Sequence, residues 1–227
     1  LLVGRDRSKN FTKLYNDTIA KPLFDRGLKA QYAPGSPFKV LNALIALQED
    51  VVTPDERFTC RRGYFYKNRK LTGCHVHPPS TNMNIGIYES CNNYFANVYR
   101  RIIDKYETSA KGTTVWSNHV KSFGLGNYLG YDLKIGNKGR VPDGEYYNKW
   151  YPDFNWGSTT IISNAIGQGE VETTPIQLAN MAAAIANRGY FFTPHIIKSI
   201  KNKAIDTKYT TPKYTTINKE HFEPAIQ

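Results

Sequence analysis

The sequence predicts a domain of mixed α and β structure, with helices dominating, and three observations carry this. Val40, Leu41, Leu44, Ile45 and Leu47 recur at helical spacing after the turn signal Ala33-Pro34-Gly35. A second run, Ile176 to Ala186, follows Thr174-Pro175 and stops at Asn187-Arg188-Gly189. Near the C-terminus, Tyr190–Thr193 and Ile196–Ile200 read as strands separated by Pro194, at a sheet edge. With 227 residues, 40% of them hydrophobic and 13% aromatic, the chain can bury the core of one sizeable domain or of a domain with a small appendage. That composition excludes a disordered chain, and no repeat, low-complexity tract or membrane-length apolar run is present.

The elements follow in order. Gly4 to Tyr32 is polar and basic, predicting loop plus a short helix around 12–19. The Val40 helix closes at Glu49-Asp50, and 51–71, rich in Gly, Arg and Tyr, predicts a hairpin or irregular structure. Pro78-Pro79 precedes a second helical region, 83–106, carrying Ile87, Phe95, Val98, Ile102 and Ile103, with a break near Cys91. A helix over 115–125 ends at Gly124 and Gly126, and 132–151 reads as a long loop. For the next helix Thr174 is a fitting N-cap, Pro175 suits the first position and Gln177 completes a capping-box spacing; its many alanines imply close packing. The tail from Lys201 has no core pattern.

The formal charge of +11, from 30 Lys+Arg against 19 Asp+Glu, favours anionic partners. The basic residues are spread along the chain, with loose clusters at 61–70 and 198–219, each read as a solvated surface. No zinc-finger, helix-turn-helix or RNA-recognition signature accompanies them, so nucleic acid is not an expected partner.

Chemistry concentrates at two places. Ser36 and Lys39 stand three apart at the start of the Val40 helix, on one face, where a lysine of lowered pKa can accept a serine proton. The helix N-terminus adds N–H groups and a favourable dipole for an oxyanion, and Gly35 permits the sharp entry. By itself Ser-x-x-Lys is a weak pattern, and a serine before proline is commonly only a cap. The second place is Ser90-Cys91-Asn92, where Ser90 can relay a proton and Asn92 can fix Lys39 or a substrate amide. Gly167-Gln168-Gly169 lacks the third glycine of a dinucleotide loop and reads as a tight turn.

Together these segments resemble the serine acyltransferases of the penicillin-binding protein and β-lactamase type. Tyr-Ala-Pro-Gly-Ser-Pro-Phe-Lys (32–39) is similar to the nucleophile segment of class B penicillin-binding proteins, and Glu-Ser-Cys-Asn-Asn-Tyr-Phe (89–95) to their second motif. Ile-Gly-Gln-Gly-Glu (166–170), Thr-Pro-Ile-Gln-Leu-Ala-Asn (174–180) and Ala-Asn-Arg-Gly-Tyr (186–190) resemble the stretch before their third. The resemblance spans nearly the whole chain and is strongest to the elongation-type penicillin-binding protein 2. It implies a helical subdomain against an antiparallel sheet, incomplete at both ends, with residues 1–227 forming a partial transpeptidase domain. It further implies acyl-enzyme cross-linking of D-Ala-D-Ala stem peptides, with Ser36 as nucleophile, Lys39 as base, Ser90 as shuttle and Asn92 as positioning group, and no catalytic cofactor. Implied partners are peptidoglycan stem peptides, lipid-linked precursor strands, β-lactam antibiotics and a glycosyltransferase of the elongation machinery, at the periplasmic face of the inner membrane. The rivals are a β-lactamase or D,D-carboxypeptidase, which transfer to water, and a non-catalytic envelope scaffold.

The family's third motif, Lys-Thr-Gly or Lys-Ser-Gly, is missing; Lys70-Leu71-Thr72-Gly73 precedes the second motif and carries an extra residue. The resemblance places that motif, the anchor and the N-terminal strands outside this stretch, so this piece by itself is expected to be poorly active. Cys60, Cys74 and Cys91 lie within one short stretch beside His75 and His77. They read as a structural zinc site of Cys60, Cys74, His77 and Cys91, with His75 as runner-up for the nitrogen. A Cys60–Cys74 disulfide with Cys91 free, or three unpaired thiols, are the other readings.

Overall fold

A computed structural model describes residues 2–226. Nine α-helices are formed among them: α1 (Arg7–Tyr15), α2 (Arg26–Lys29), α3 (Phe38–Gln48), α4 (Met83–Tyr88), α5 (Asn92–Asp104), α6 (Ser109–Ser122), α7 (Gly144–Trp150), α8 (Pro175–Ala186) and α9 (Phe222–Ile226). Six short strands make three antiparallel pairs: β1 (Phe58–Thr59) with β4 (Ser80–Thr81), β2 (Gly63–Tyr66) with β3 (Arg69–Gly73), and β5 (Tyr190–Phe191) with β6 (Lys213–Tyr214). The mixed α+β class is therefore as expected, with two-stranded pairs as the only sheets among the described residues.

Helix α3 is the centre of the molecule, with Phe38, Lys39 and every residue from Leu41 to Leu47 buried. So apolar a helix cannot lie on a surface. It packs against α5 and a 3-10 turn, Ile162–Ile166, and α5 in turn lies against α6. Gly112 lets α6 approach α5 closely: a Cβ there would sit 2.2 Å from the Ile103 carbonyl oxygen. A polar tie holds the 3-10 turn to α3. The buried Asn42 side chain donates to the carbonyls of Asn164 (3.3 Å) and Ala165 (2.9 Å) and accepts from Trp116 Nε1 (2.8 Å). Apolar surroundings make each of these bonds costly to lose.

Several boundaries differ from the sequence reading, each for a local reason. Helix α1 ends at Tyr15 because Asp17 Oδ1 accepts the N–H groups of Ile19 (3.1 Å) and Ala20 (2.8 Å), forming a side-chain turn in place of helix. Helix α6 begins at Ser109, capped by Thr108 Oγ1 on Lys111 N–H (3.1 Å). The expected loop over 132–151 contains α7, nucleated by Asp143 Oδ1 accepting from Tyr146 N–H (3.0 Å). No strand forms over 196–200, since Asp132 Oδ2 takes the Ile196 and Ile197 N–H groups that a ladder would need. The tail does contribute core: Ile217, Phe222 and Ala225 are buried, and α9 packs on α3 and α4. The α8 capping box forms as expected, with Thr174 N–H donating to Gln177 Oε1 at 3.0 Å. Its alanines pack less closely than expected, for Ala182, Ala183 and Ala186 are exposed.

Candidate active site

The site lies where the N-terminus of α3 meets the break between α4 and α5. Ser36 is exposed in the turn that opens α3, and the Lys39 N–H closes that turn on the Ser36 carbonyl (3.0 Å). Gly35 enters at φ +66 and donates its N–H to the Gly167 carbonyl at 2.8 Å. Gly167, itself at φ +67, seats against this turn so closely that a Cβ would stand 2.4 Å from the Gly35 oxygen. The predicted tight turn at 167–169 thus buttresses the turn that carries Ser36. Among the described residues, the Ser36 N–H has no hydrogen-bond partner, leaving it available at the helix N-terminus.

Ser90 sits in the break, at φ +50, a backbone region that non-glycine residues seldom occupy and that gathers at functional sites. Its hydroxyl donates to Ser36 Oγ at 3.0 Å and accepts from Lys39 Nζ at 2.8 Å. Lys39, only 2% exposed, also donates to the Ser90 carbonyl (2.6 Å) and to Asn92 Oδ1 (2.6 Å). Burial pulls the Lys39 ammonium down from 10.5 to about 8, although negative charge on Cys74 and Cys91 works the other way. All four predicted catalytic side chains are therefore together, with Ser36 reaching Lys39 through the Ser90 hydroxyl. Such a chain can carry a proton from a serine to a lysine that is partly neutral near pH 7.

Asn92 Nδ2 donates to the Gly73 carbonyl at 2.7 Å. The Lys70–Gly73 strand, set aside as a third motif by its position, thus still lines the site through its backbone. Sequence reasoning missed Gly73 and Asn42; a carbonyl contact leaves no residue-type signal, and a buried asparagine within an apolar helix was the one visible hint of the second.

Behind Asn92 the cysteines converge. Ligand atoms of Cys60, Cys74, His77 and Cys91 all lie within 4.8 Å of one another. Cys74 Sγ is 3.1 Å from His77 Nε2 and 3.9 Å from Cys91 Sγ, and all three thiols are free. Sulfurs on a tetrahedral zinc stand about 3.8 Å apart, given Zn–S bonds of about 2.3 Å, so the donor set and spacing fit that ion. His77 Nδ1 lies 2.8 Å from the Pro78 carbonyl, an orienting contact of the kind ligating histidines make. His75 is outside the cluster, its Nε2 lying 3.8 Å from Glu89. Burial pushes the Cys91 thiol up to about 12, whereas at Cys74 bonds from His77 and from the Asn92 and Asn93 backbones outweigh burial and lower it. The cluster touches the catalytic side directly, because the Asn92 N–H donates to Cys74 Sγ at 3.3 Å.

A helical core presenting Ser-x-x-Lys beside a Ser-x-Asn break is the arrangement of the penicillin-binding class of proteins. The chain matches the penicillin binding protein transpeptidase domain family over residues 2–226, and it belongs to that family. Among curated relatives it is 30% identical to the peptidoglycan D,D-transpeptidase MrdA of Haemophilus influenzae, over 96% of this chain and 32% of that protein. It is 28% identical to MrdA of Acinetobacter baumannii, over 88% of this chain and 28% of that protein. The chain thus spans about a third of the length of these relatives. Among solved structures, Pseudomonas aeruginosa PBP2 superposes with a TM-score of 0.76 at 26% identity, covering 96% of this chain and 46% of that one. Helicobacter pylori PBP2, in a structure titled as its complex with MreC, gives 0.73 at 26% identity, over 98% and 37%. These likenesses have the penicillin-binding fold expected from the sequence.

Proposed function

We propose that this chain is the nucleophile-bearing part of a D,D-transpeptidase that cross-links peptidoglycan. The observation that carries the reading is the unbroken Ser36–Ser90–Lys39 hydrogen-bond chain, with Asn92 holding the lysine. Neutral Lys39 accepts the Ser90 proton while Ser90 accepts that of Ser36, and Ser36 Oγ attacks the penultimate D-Ala carbonyl. The developing oxyanion is met by the Ser36 N–H. As the intermediate collapses, the C–N bond to the terminal D-Ala breaks and the leaving amine takes a proton from Ser90, which Lys39 replenishes. An amine on a neighbouring strand then attacks the acyl carbonyl and gives its proton to the relay; the Ser36 ester C–O bond breaks, and the relay returns a proton to Ser36 Oγ. β-Lactams acylate the same serine.

In this reading the four-ligand cluster holds a structural zinc. Cys60, Cys74, His77 and Cys91 would hold the ion, which would supply structural bracing one residue from Asn92 and no acyl-transfer chemistry. The partners are stem peptides on lipid-linked strands and a glycosyltransferase of the elongation machinery, at the periplasmic face of the inner membrane. No helix among the described residues is long and apolar enough to cross a membrane. Product analysis on the full-length protein, with a D-Ala-D-Ala peptide and an added acceptor amine, tests the assignment. Cross-linked product supports transfer to an amine; only hydrolysed peptide would favour a carboxypeptidase, and no D-Ala release would favour a scaffold.

A further inference from the structure

The segment 192–212 joins β5 to β6 and carries part of the second basic cluster of the sequence. Lys198, Lys201, Lys203 and Lys208 stand there against a single acid, Asp206, and the segment holds no arginine. Asp206 lies 3.9 Å from Lys208. Lys198, Lys201 and Lys203 have no ion pair or side-chain hydrogen bond among the described residues. Beside them, aliphatic side chains face solvent: Ile196 is 73% exposed, Ile200 45% and Ile197 41%. A single exposed isoleucine is ordinary on a protein surface, but a run of them interleaved with unpaired lysines is not.

The segment has a defined shape. Asp132 Oδ2 fixes one end by accepting the N–H groups of Ile196 (3.0 Å) and Ile197 (2.9 Å). The His195 ring stands 4.8 Å from that of Tyr209, which ties the two ends together. Between them, Lys203 N–H donates to the Ile200 carbonyl at 3.2 Å, with Asn202 at φ +57, and closes a tight turn. Ile200, Lys201 and Lys203 are thereby gathered at one tip, and a partner that meets them there has little backbone left to order.

The residue types select the partner. Protein–protein interfaces are enriched in arginine and aromatic residues and depleted of lysine. Nucleic acids are held by cations and by aromatic rings on which bases stack, so exposed isoleucines add nothing to such a site. At a bilayer both residue types have a use. Lysine stems reach past apolar neighbours to place ammonium groups among phosphates, and aliphatic side chains leave water for the acyl boundary.

We propose that residues 196–203 form a docking tip for an anionic lipid surface. Lys198, Lys201 and Lys203 meet the headgroup phosphates, and Ile196 and Ile200 enter the interface. The proposal stands apart from acyl transfer and uses no part of the Ser36 relay.

The test uses the full-length protein with vesicles of phosphatidylcholine alone or with about a third phosphatidylglycerol. Comparing the two vesicles cancels any attachment elsewhere in the protein that is indifferent to lipid charge. The reading is hydrogen–deuterium exchange over 198–202, where the N–H groups of Lys198, Ser199, Lys201 and Asn202 have no hydrogen-bond partner among the described residues. Phosphatidylglycerol should slow exchange there about tenfold, and about 1 M salt should remove most of that protection. Lys198→Gln, Lys201→Gln and Lys203→Gln together should weaken the lipid-dependent contact about a hundredfold, at about fivefold per lysine. Ile196→Ser with Ile200→Ser should weaken it about tenfold. An equal charge change at the exposed Arg5, Lys9 and Lys13 should leave the protection in place. Penicillin acylation at the parent rate shows that each variant is folded. No slowing with phosphatidylglycerol, equal slowing with both vesicles, or protection that survives either the lysine or the isoleucine changes would overturn the tip. So would its loss on changing Arg5, Lys9 and Lys13. Equal protection by soluble polyglutamate or RNA would assign the cluster to an acidic protein or a nucleic acid and overturn the lipid site.

Discussion

Replacing Ser90 with alanine removes the one hydroxyl that joins Ser36, at 3.0 Å, to Lys39, at 2.8 Å. Lys39 keeps its bonds to the Ser90 carbonyl and Asn92, both 2.6 Å, so its position should change little. What disappears is the proton path, and positioned acid–base groups contribute about 10²–10⁴-fold. At about 1.4 kcal/mol per decade, that is about 3–5 kcal/mol of transition-state stabilisation. Stability should fall by only about 1 kcal/mol, the net worth of an ordinary hydrogen bond. Ser90→Gly separates the two effects: it also deletes the hydroxyl, but a glycine tolerates φ +50, so about 0.5–1 kcal/mol of strain is relieved. Acylation by a fluorescent penicillin, followed under second-order conditions on the full-length protein, should drop equally in both variants. Their denaturation midpoints should diverge, glycine above alanine. Acylation within threefold of the parent for either variant, or activity that follows stability, would refute the relay.

With Lys39 lowered to about 8, the base is mostly protonated at pH 7; acylation should rise about tenfold per pH unit below about 8 and level off above it. A rate independent of pH between 6 and 8 would contradict this assignment of the base. Gly167→Ala places a methyl 2.4 Å from the Gly35 oxygen and 2.7 Å from Phe38 Cβ at a positive φ, and should cost about 1–3 kcal/mol in chemical denaturation while slowing acylation. Protein purified without chelator should carry one zinc per chain by elemental analysis. Cys60→Ser should lose it and lower the melting midpoint by about 4–8 °C, the equivalent of about 2 kcal/mol.

How much of this was legible in sequence depended on the kind of interaction. Ser36 and Lys39 were readable because three residues on a helix fix their relative position, and the α8 cap because its residues act on their own backbone. The cysteines and His77 could be grouped by ligand chemistry and proximity in the chain. The left-handed backbone at Ser90 was not readable: only the break near Cys91 hinted at it, and serine carries no preference that marks such a position. Helix α7 was hidden by its Gly- and Pro-rich surroundings, although Asp143-Gly144-Glu145 before the Tyr146, Tyr147 and Trp150 series was a usable signal. The missing strand over 196–200 depended on Asp132, more than sixty residues away, and no local pattern reports such a competitor. The tail's Ile217, Phe222 and Ala225 are buried by contacts with α3 and α4 that short, irregular elements do not announce.

The central claim, that Ser36 is the acylated nucleophile, is tested most directly by intact-mass spectrometry of the full-length protein after incubation with a penicillin. The account predicts a single covalent adduct of the drug's mass on the parent protein and none on the folded Ser36→Ala variant. An adduct that persists in Ser36→Ala, or no adduct on the folded parent, would contradict it.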